Sequence, residues 1–191
     1  MRTEILAPHR WSDLERLFVP EVADDGCWCM SLRLAPGDEG YGEAGEPARR
    51  RLRALVLADA IHGALAYDGD LPVGWCSFEV RKDFRELDRS GALAVDDADR
   101  VWSIGCFYVA ATHRGRGVPR LLLERALREI AAAGGRVVEA YPVKRDQPAD
   151  VIADWRFTGA SGLFERCGFT DASETRGCLR RVRLTLESPR P

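Results

Sequence analysis

One stretch constrains the fold more than any other: residues 101–135, VWSIGCFYVAATHRGRGVPRLLLERALREIAAAGG. Val101 to Val109 is an apolar run rich in β-branched and aromatic residues, the composition of a buried strand. A short polar turn, Ala111 to Gly117, carries Arg114, Gly115, Arg116 and Gly117. Beyond it the period changes. Val118, Leu122, Ala126 and Ile130 fall on one helical face with Leu123 and Leu127 beside them, while Arg120, Glu124, Arg125, Arg128 and Glu129 take the other. Gly134 and Gly135 stop the helix. Arg136 to Tyr141 then reads as a second short strand, which predicts a parallel β-α-β unit.

Strand, Gly/Arg turn and helix in that order have a chemical use. The first turn of a helix carries N–H groups with no partner inside the helix, and its aligned peptide dipoles favour negative charge there. Gly115 and Gly117 lack a Cβ, so a phosphate can approach the backbone closely, and the arginines add charge. Two readings stand side by side: a cradle for a diphosphate-bearing ligand, or a tight connection that needs glycine only for its geometry.

Arg114-Gly115-Arg116-Gly117-Val118-Pro119, after a strand ending Phe107-Tyr108-Val109, resembles the acyl-CoA signature of the GNAT superfamily of N-acetyltransferases. That signature runs Arg or Gln, two residues, Gly, one residue, then Gly or Ala. Pro119 departs from its last position and removes one N–H, although proline is well tolerated in a helix's first turn. Gly162 to Phe169, GLFERCGF, resembles the family's second motif, and Gly74-Trp75-Cys76 adds an upstream match. Cys27-Trp28-Cys29-Met30 is similar to a segment of a bacterial subgroup of the superfamily.

The resemblance implies an α/β GNAT fold: a mixed central sheet splayed between the strand before the Arg-Gly-x-Gly turn and the next parallel strand, with helices on both faces. It implies acetyl-CoA, or another acyl-CoA, as co-substrate and no metal. Backbone groups of Phe107 and Val109 would hold the acyl carbonyl and pantetheine arm. Arg114, Gly115, Arg116, Gly117, Val118, Pro119 and Arg120 would hold the diphosphate. The implied reaction is transfer of acetyl to a primary amine of a small molecule by direct attack.

The side-chain chemistry departs from the family. Ser103 stands where histone-acetylating relatives carry a glutamate base, and it would serve only by holding a water that passes protons onward. Phe164 replaces the tyrosine that often protonates the leaving sulfur. Unassisted departure is not prohibitive, because a free thiol has a pKa of about 8.5. Glu139 and Tyr141, on the strand after the helix, are the first replacement candidates, followed by Glu79. Glu79 and Asp83 would also suit a cationic acceptor. His113 reads as a surface residue or phosphate neighbour, and its spacing from Cys106 gives no support to a thiol nucleophile.

Two further readings follow from these departures. Pro119 and the basic run Arg49-Arg50-Arg51 with Arg53 suggest a carrier-protein thioester or an aminoacyl-tRNA as donor. Ser103 and Phe164 suggest a non-catalytic acyl-CoA-binding module.

The remainder reads as one domain over residues 1–191. Ser12 to Phe18 is a short helix with a Ser12/Glu15 capping box, ended by Pro20. Cys27 to Leu34 reads as a strand with Cys27 and Cys29 on one side; no second pair of metal ligands accompanies them. Residues 35–46 form a mobile loop, and a helix starts at Pro47 and runs to about Ile61. Gly63 to Tyr67 and Leu71 to Val80 flank an Asp-Gly hairpin turn, and Arg81 to Asp99 is connecting. Asp146 to Trp155 is a loop or short helix, Thr158 to Cys167 a helix closed by Gly168. Phe169–Thr175 and Cys178–Leu186 pair antiparallel before a tail at 187–191.

A formal net charge of −2 argues against an overall electrostatic commitment to nucleic acid or membrane. No apolar run is long enough to cross a bilayer, and MRTEILAPHRW lacks a signal-peptide core, so a cytoplasmic protein is expected, with a homodimer left open. The six cysteines are expected to be thiols.

Overall fold

The predicted strand lies in the middle of the sheet. The computed structural model describes residues 1–19, 27–89, 93, 95–154, 156–173 and 177–187. Its strands are β1 (Arg2–Ile5), β2 (Gly63–Asp68), β3 (Leu71–Val80), β4 (Val101–Val109), β5 (Val137–Ala140), β6 (Thr170–Ser173) and β7 (Arg181–Thr185). They form one sheet in the order β1-β2-β3-β4-β5-β7-β6. Only the β4–β5 pair is parallel among the described strands. Helices are α1 (Trp11–Phe18), α2 (Glu46–Leu57), α3 (Glu86–Arg89), α4 (Val118–Ala132), α5 (Ala149–Asp154) and α6 (Ser161–Arg166).

Helix α4 supplies the β4–β5 crossover and packs one face of the sheet. Its predicted seam, Val118, Leu122, Ala126 and Ile130, is buried with Leu123 against Ala64, Ala66, Cys76, Phe78, Ile104 and Val138. Burying one such leucine stabilises by roughly 1.5–3 kcal/mol. Gly74 permits the close approach, since a Cβ there would come within 2.6 Å of Val118 Cγ1. On the opposite face α1 and α2 cover Leu65, Tyr67 and Trp75. Helices therefore lie on both faces, as expected.

Two irregularities shape the middle of the sheet. Pairing of β4 with β5 runs from Val101↔Val137 to Ile104↔Ala140, where β5 ends while β4 continues to Val109. This is the expected splay. On its other side β4 pairs Phe78↔Ile104 and then Ser77↔Cys106, leaving Gly105 as a bulge. A Cβ on Gly105 would lie 2.4 Å from the Phe84 ring, so the bulge depends on its having no side chain. After the bulge, Phe107 joins the same core as Ile104, three positions earlier.

Several local readings are corrected. Cys27 to Leu34 is a series of turns, because Cys29 takes a left-handed backbone (φ 54°) and Met30 and Leu34 close local hydrogen bonds. Cys27 therefore faces Ser31 (3.3 Å), while Cys29 faces Trp75 and Cys106. Ser12 makes no cap: Arg10 is the N-cap residue, and Glu15 engages Arg49 instead. Pro20 lies outside the described residues. Helix α2 stops at Leu57, and β1 and α3 form in segments too short to show a period. Residues 35–46 are turns, tied by the Asp38 carboxylate to the Ala35 N–H (2.8 Å) and to Arg85. The hairpin closes through Gly69 and Asp70, with Asp68 opposite Leu71. The terminal pair is antiparallel; Trp155, residues 174–175 and the tail from 188 onward lie outside the described residues.

Candidate active site

The Gly/Arg turn ends in an open helix terminus. Gly115 (φ 74°) and Gly117 (φ 78°) both adopt left-handed backbone, which glycine enters at little cost. Gly117 is the N-cap of α4 and no side chain caps the first turn. A Cβ placed on either glycine meets no heavy atom within 4 Å, so the space over the turn is clear of protein. Arg114, Arg116 and Arg120 are exposed around it. Arg114 Nε donates to the Val109 carbonyl (3.1 Å), which ties the turn to the end of β4, and Arg120 pairs with Glu124 (2.8 Å). Pro119 sits in the first turn and Val118 is buried in the core. The residues present fit a diphosphate: free-standing N–H donors, positive charge and no steric obstacle.

Phe107 and Val109 lie on the part of β4 that runs past β5 while still paired with β3. The Ala110 N–H donates to the Val73 carbonyl (3.0 Å), making Val73/Ala110 a hydrogen-bonded pair. Pairs alternate along an antiparallel ladder. Gly74↔Val109 and Cys76↔Phe107 are thus the non-hydrogen-bonded pairs, whose backbone groups turn away from β3 into the splay. Phe164 is fully buried behind them, 6.2 Å from the Phe107 ring and 5.3 Å from Phe169, as an apolar wall.

Ser103, Glu139 and Tyr141 converge on one buried network. The sheet register sets Glu79 beside Ser103, Ser103 beside Glu139 and Glu139 beside Arg183, a polar row across β3, β4, β5 and β7. The Tyr141 hydroxyl donates to Glu139 Oε2 (2.6 Å) and lies 3.0 Å from Ser103 Oγ. Arg183 Nε donates to Glu139 Oε1 (2.5 Å) and its other nitrogens hold Asp97 (2.9 and 3.1 Å). Arg81, fully buried, reaches Glu139 (3.7 Å) and donates to Asp88 and the Leu93 carbonyl (both 2.8 Å). Burial and the neighbouring Glu139 charge push the Tyr141 phenol well above its ordinary range. The row belongs to the paired part of the sheet, before the splay opens.

Glu79 heads a second cluster. Its carboxylate accepts from the His62 backbone N–H (2.8 Å) and ring Nδ1 (2.6 Å) and pairs with Arg33 Nη1 (2.8 Å), whose Nη2 donates to Ser77 (3.0 Å). Burial alone would raise its pKa, but the His62 hydrogen bonds and Arg33 outweigh that and lower it. Glu79 is thus already engaged by Arg33 and His62 of this chain, while Asp83 is exposed. His113 is buried, with Nδ1 at Thr112 (2.9 Å) and Nε2 at Asp68 (3.3 Å), which corrects its reading as a surface residue. Cys106 instead contacts Cys29 (3.7 Å). In the basic run of α2, Arg49 folds onto Glu15 and Glu46 and Arg51 onto Glu43, while Arg50 and Arg53 are exposed. Among the described residues no group of three or more metal-ligating side chains converges, and no helix is long and apolar enough to cross a membrane.

Sequence reasoning missed Arg33, Arg81 and Arg183 as members of these clusters. They are separate in the chain and meet only through strand register, so no local signal marks them.

No curated protein matches the chain in sequence. Among solved structures it resembles the GNAT-family acetyltransferase of Streptococcus pneumoniae (TM-score 0.56, 15% identity, covering 97% of this chain and 100% of that one). It also resembles the ribosomal-protein-alanine N-acetyltransferase of Brucella melitensis (0.57, 16%, 97% and 100%). A third is yncA of Salmonella typhimurium, described as a candidate acetyltransferase and solved with its cofactor acetyl-CoA (0.58, 15%, 98% and 95%). At these identities the likeness is one of fold. The family model for GNAT acetyltransferases matches residues 29–169. Because that model spans well over half of the chain and takes in both the glycine turn and the second motif, the chain belongs to the GNAT family and is an N-acetyltransferase of the GNAT type.

Proposed function

We propose that this protein transfers acetyl from acetyl-CoA to a primary amine of a small molecule by direct attack. The observation that carries the reading is the coincidence of two features: β4 runs on past its last pairing with β5, and the helix end beyond it is clear of protein. Acetyl-CoA is the co-substrate of this family, and the Salmonella relative holds it. When bound it supplies a thioester whose carbonyl carbon accepts the amine.

The chain's residues divide the work. The N–H groups of Gly117 and Val118, at the start of α4, receive the diphosphate, with Arg114, Arg116 and Arg120 adding charge around it. Backbone N–H groups of Phe107 and Val109 face the splay and hold the thioester carbonyl as negative charge develops on its oxygen. One such fixed donor is typically worth about 3 kcal/mol of barrier. Phe164 offers no proton and keeps water from the sulfur side. Ser103 and Tyr141 pass the amine's proton inward, with Glu139 as the terminal acceptor and Arg183 balancing its charge. Relay hydroxyls fit here because Tyr141 stays protonated and its hydrogen bonds are already made in the resting protein.

Calorimetric titration with acetyl-CoA tests the first half, and free-thiol release across a panel of amines tests the second. Binding followed by thiol release with at least one amine is expected. No binding to the intact protein would remove the reading, and tight binding without turnover would favour an acyl-CoA-binding module instead.

A further inference from the structure

Beside the acyl site sits a pair of thiols that the reaction does not use. Cys106 is on β4, directly before Phe107 and directly after the Gly105 bulge. It faces the α1 side of the sheet and is half-buried. Cys29 belongs to the turns at 27–34, is buried, and brings its Sγ to 3.7 Å from Cys106 Sγ. Of the other thiols, Cys27 is turned to Ser31 and Cys76 is buried in the core on the α4 side. Sequence separates the pair by 77 positions, and only the fold brings them into contact.

We propose that Cys29 and Cys106 are an oxidation site: a hydroperoxide converts them to a reversible disulfide that fastens the 27–34 turns to β4 at the acyl site. Three observations support it. The sulfurs touch, and the contact need only close to about 2.05 Å to become a bond. Trp75 Nε1 donates to Cys29 Sγ (3.1 Å), an interaction that stabilises negative charge on sulfur. Contact with Cys106, working against burial and joined by Trp75 and Arg33, lowers the Cys29 pKa, whereas that of Cys106 is raised by Cys29 and by burial. The Trp75 donor thus marks Cys29 as the nucleophile, and the half-buried Cys106, 3.7 Å away, is its resolving partner.

The chemistry balances. The Cys29 thiolate attacks one peroxide oxygen, the O–O bond breaks and hydroxide leaves, giving a sulfenic acid. Cys106 sulfur then attacks the Cys29 sulfur, the S–S bond forms, and the hydroxyl departs with the Cys106 proton as water. Two thiols lose two electrons, and hydrogen peroxide takes them up: the hydroxide gains the proton that Cys29 gave up on ionising, so two waters result. A dithiol reductant reverses the change. The left-handed backbone of Cys29 (φ 54°), uncommon for a residue with a side chain, is held by surrounding packing. A covalent tether would fix it there.

The consequence for acyl transfer rests on the function proposed above, whereas the disulfide itself does not. The experiment treats the full chain with equimolar hydrogen peroxide, blocks remaining thiols, and maps peptides without reduction. A Cys29–Cys106 crosslink is expected, kept in Cys27→Ser, lost in Cys106→Ser and removed by dithiothreitol. Sulfinic acids at either position without a crosslink, or a Cys27–Cys29 bond in its place, would overturn the proposal. On the same samples, acetyl-CoA affinity is expected to fall at least about fivefold on oxidation and to return on reduction, a change of roughly 1 kcal/mol. Unchanged affinity in crosslinked protein overturns the regulatory consequence. Failure of the reduced protein to bind acetyl-CoA overturns the functional reading and leaves the thiol pair to the peptide map.

Discussion

The glycine turn and the polar row lie at opposite ends of β4 and are built on opposite principles. At the turn, Gly115, Arg116 and Gly117 are exposed, side chains are absent or solvated, and the groups proposed to bind are backbone N–H donors. In the row, Ser103, Glu139, Tyr141 and Arg81 are almost wholly sealed from solvent, and every working group is a side chain held by another. The turn is cheap to build because its donors are left over at any helix start. The row is expensive, since each buried charge must find its partner or be destabilising. Mutations should therefore damage binding at one end and folding at the other.

The largest effect tests the row. Glu139→Ala leaves Arg183 and Arg81 facing a void where a carboxylate stood, and is expected to lower stability by about 3–5 kcal/mol in urea unfolding. Loss of less than 1 kcal/mol would mean that the row is far more hydrated than its burial implies. Next comes Tyr141→Phe, which keeps shape and deletes the hydroxyl. A drop of about 100-fold in kcat with acetyl-CoA affinity unchanged is expected if the row relays a proton. An unaltered kcat would confine the tyrosine to structure.

At the turn the expected pattern is reversed. Gly117→Ala should cost about 1 kcal/mol of stability through its positive φ. Its effect on acetyl-CoA affinity should be larger, about tenfold, because a charged hydrogen bond is displaced. Calorimetry and urea unfolding on the same variant separate the two.

Much of the turn was legible because its signal is local: two glycines, three arginines and a change of period within one short stretch. The splay was legible only through the family resemblance. The polar row was half legible. Ser103, Glu139 and Tyr141 were singled out one by one, but their union with Arg81 and Arg183 follows from register across four strands, which no single segment encodes. Cys27 to Leu34 misled for another reason. Apolar residues in an unbroken run suit a strand, yet Trp28, Cys29 and Met30 are buried by turns against α1 and Trp75 rather than by pairing.

A smaller effect lies at His62. Its hydrogen bond to Glu79, opposed by burial, raises the pKa of the imidazole, so the folded state holds that proton more firmly than the unfolded chain. The stabilisation is fully present below about pH 6.5 and is lost as pH rises through the higher folded value. Urea midpoints should decline across that window in the parent protein and show a flatter profile in His62→Gln. The ring is half exposed, so the difference should stay under about 1 kcal/mol. The least effect belongs to Arg120→Ala, at the solvated edge of the turn and already paired with Glu124, where acetyl-CoA affinity should fall by no more than about threefold.

Gly105 has a consequence for how this chain tolerates change in length. Strand residues face alternate sides, so the one extra residue inverts the facing of everything that follows it in β4. Deleting Gly105 would remove the extra residue and keep these facings, whereas pairing Gly105 directly opposite Ser77 would exchange the facings of Cys106, Phe107, Tyr108 and Val109 without altering any of their identities. The thiol would enter the α4 core and Phe107 would leave it. Substitutions at these four positions test chemistry, whereas a frame error at their common origin would undo all four together.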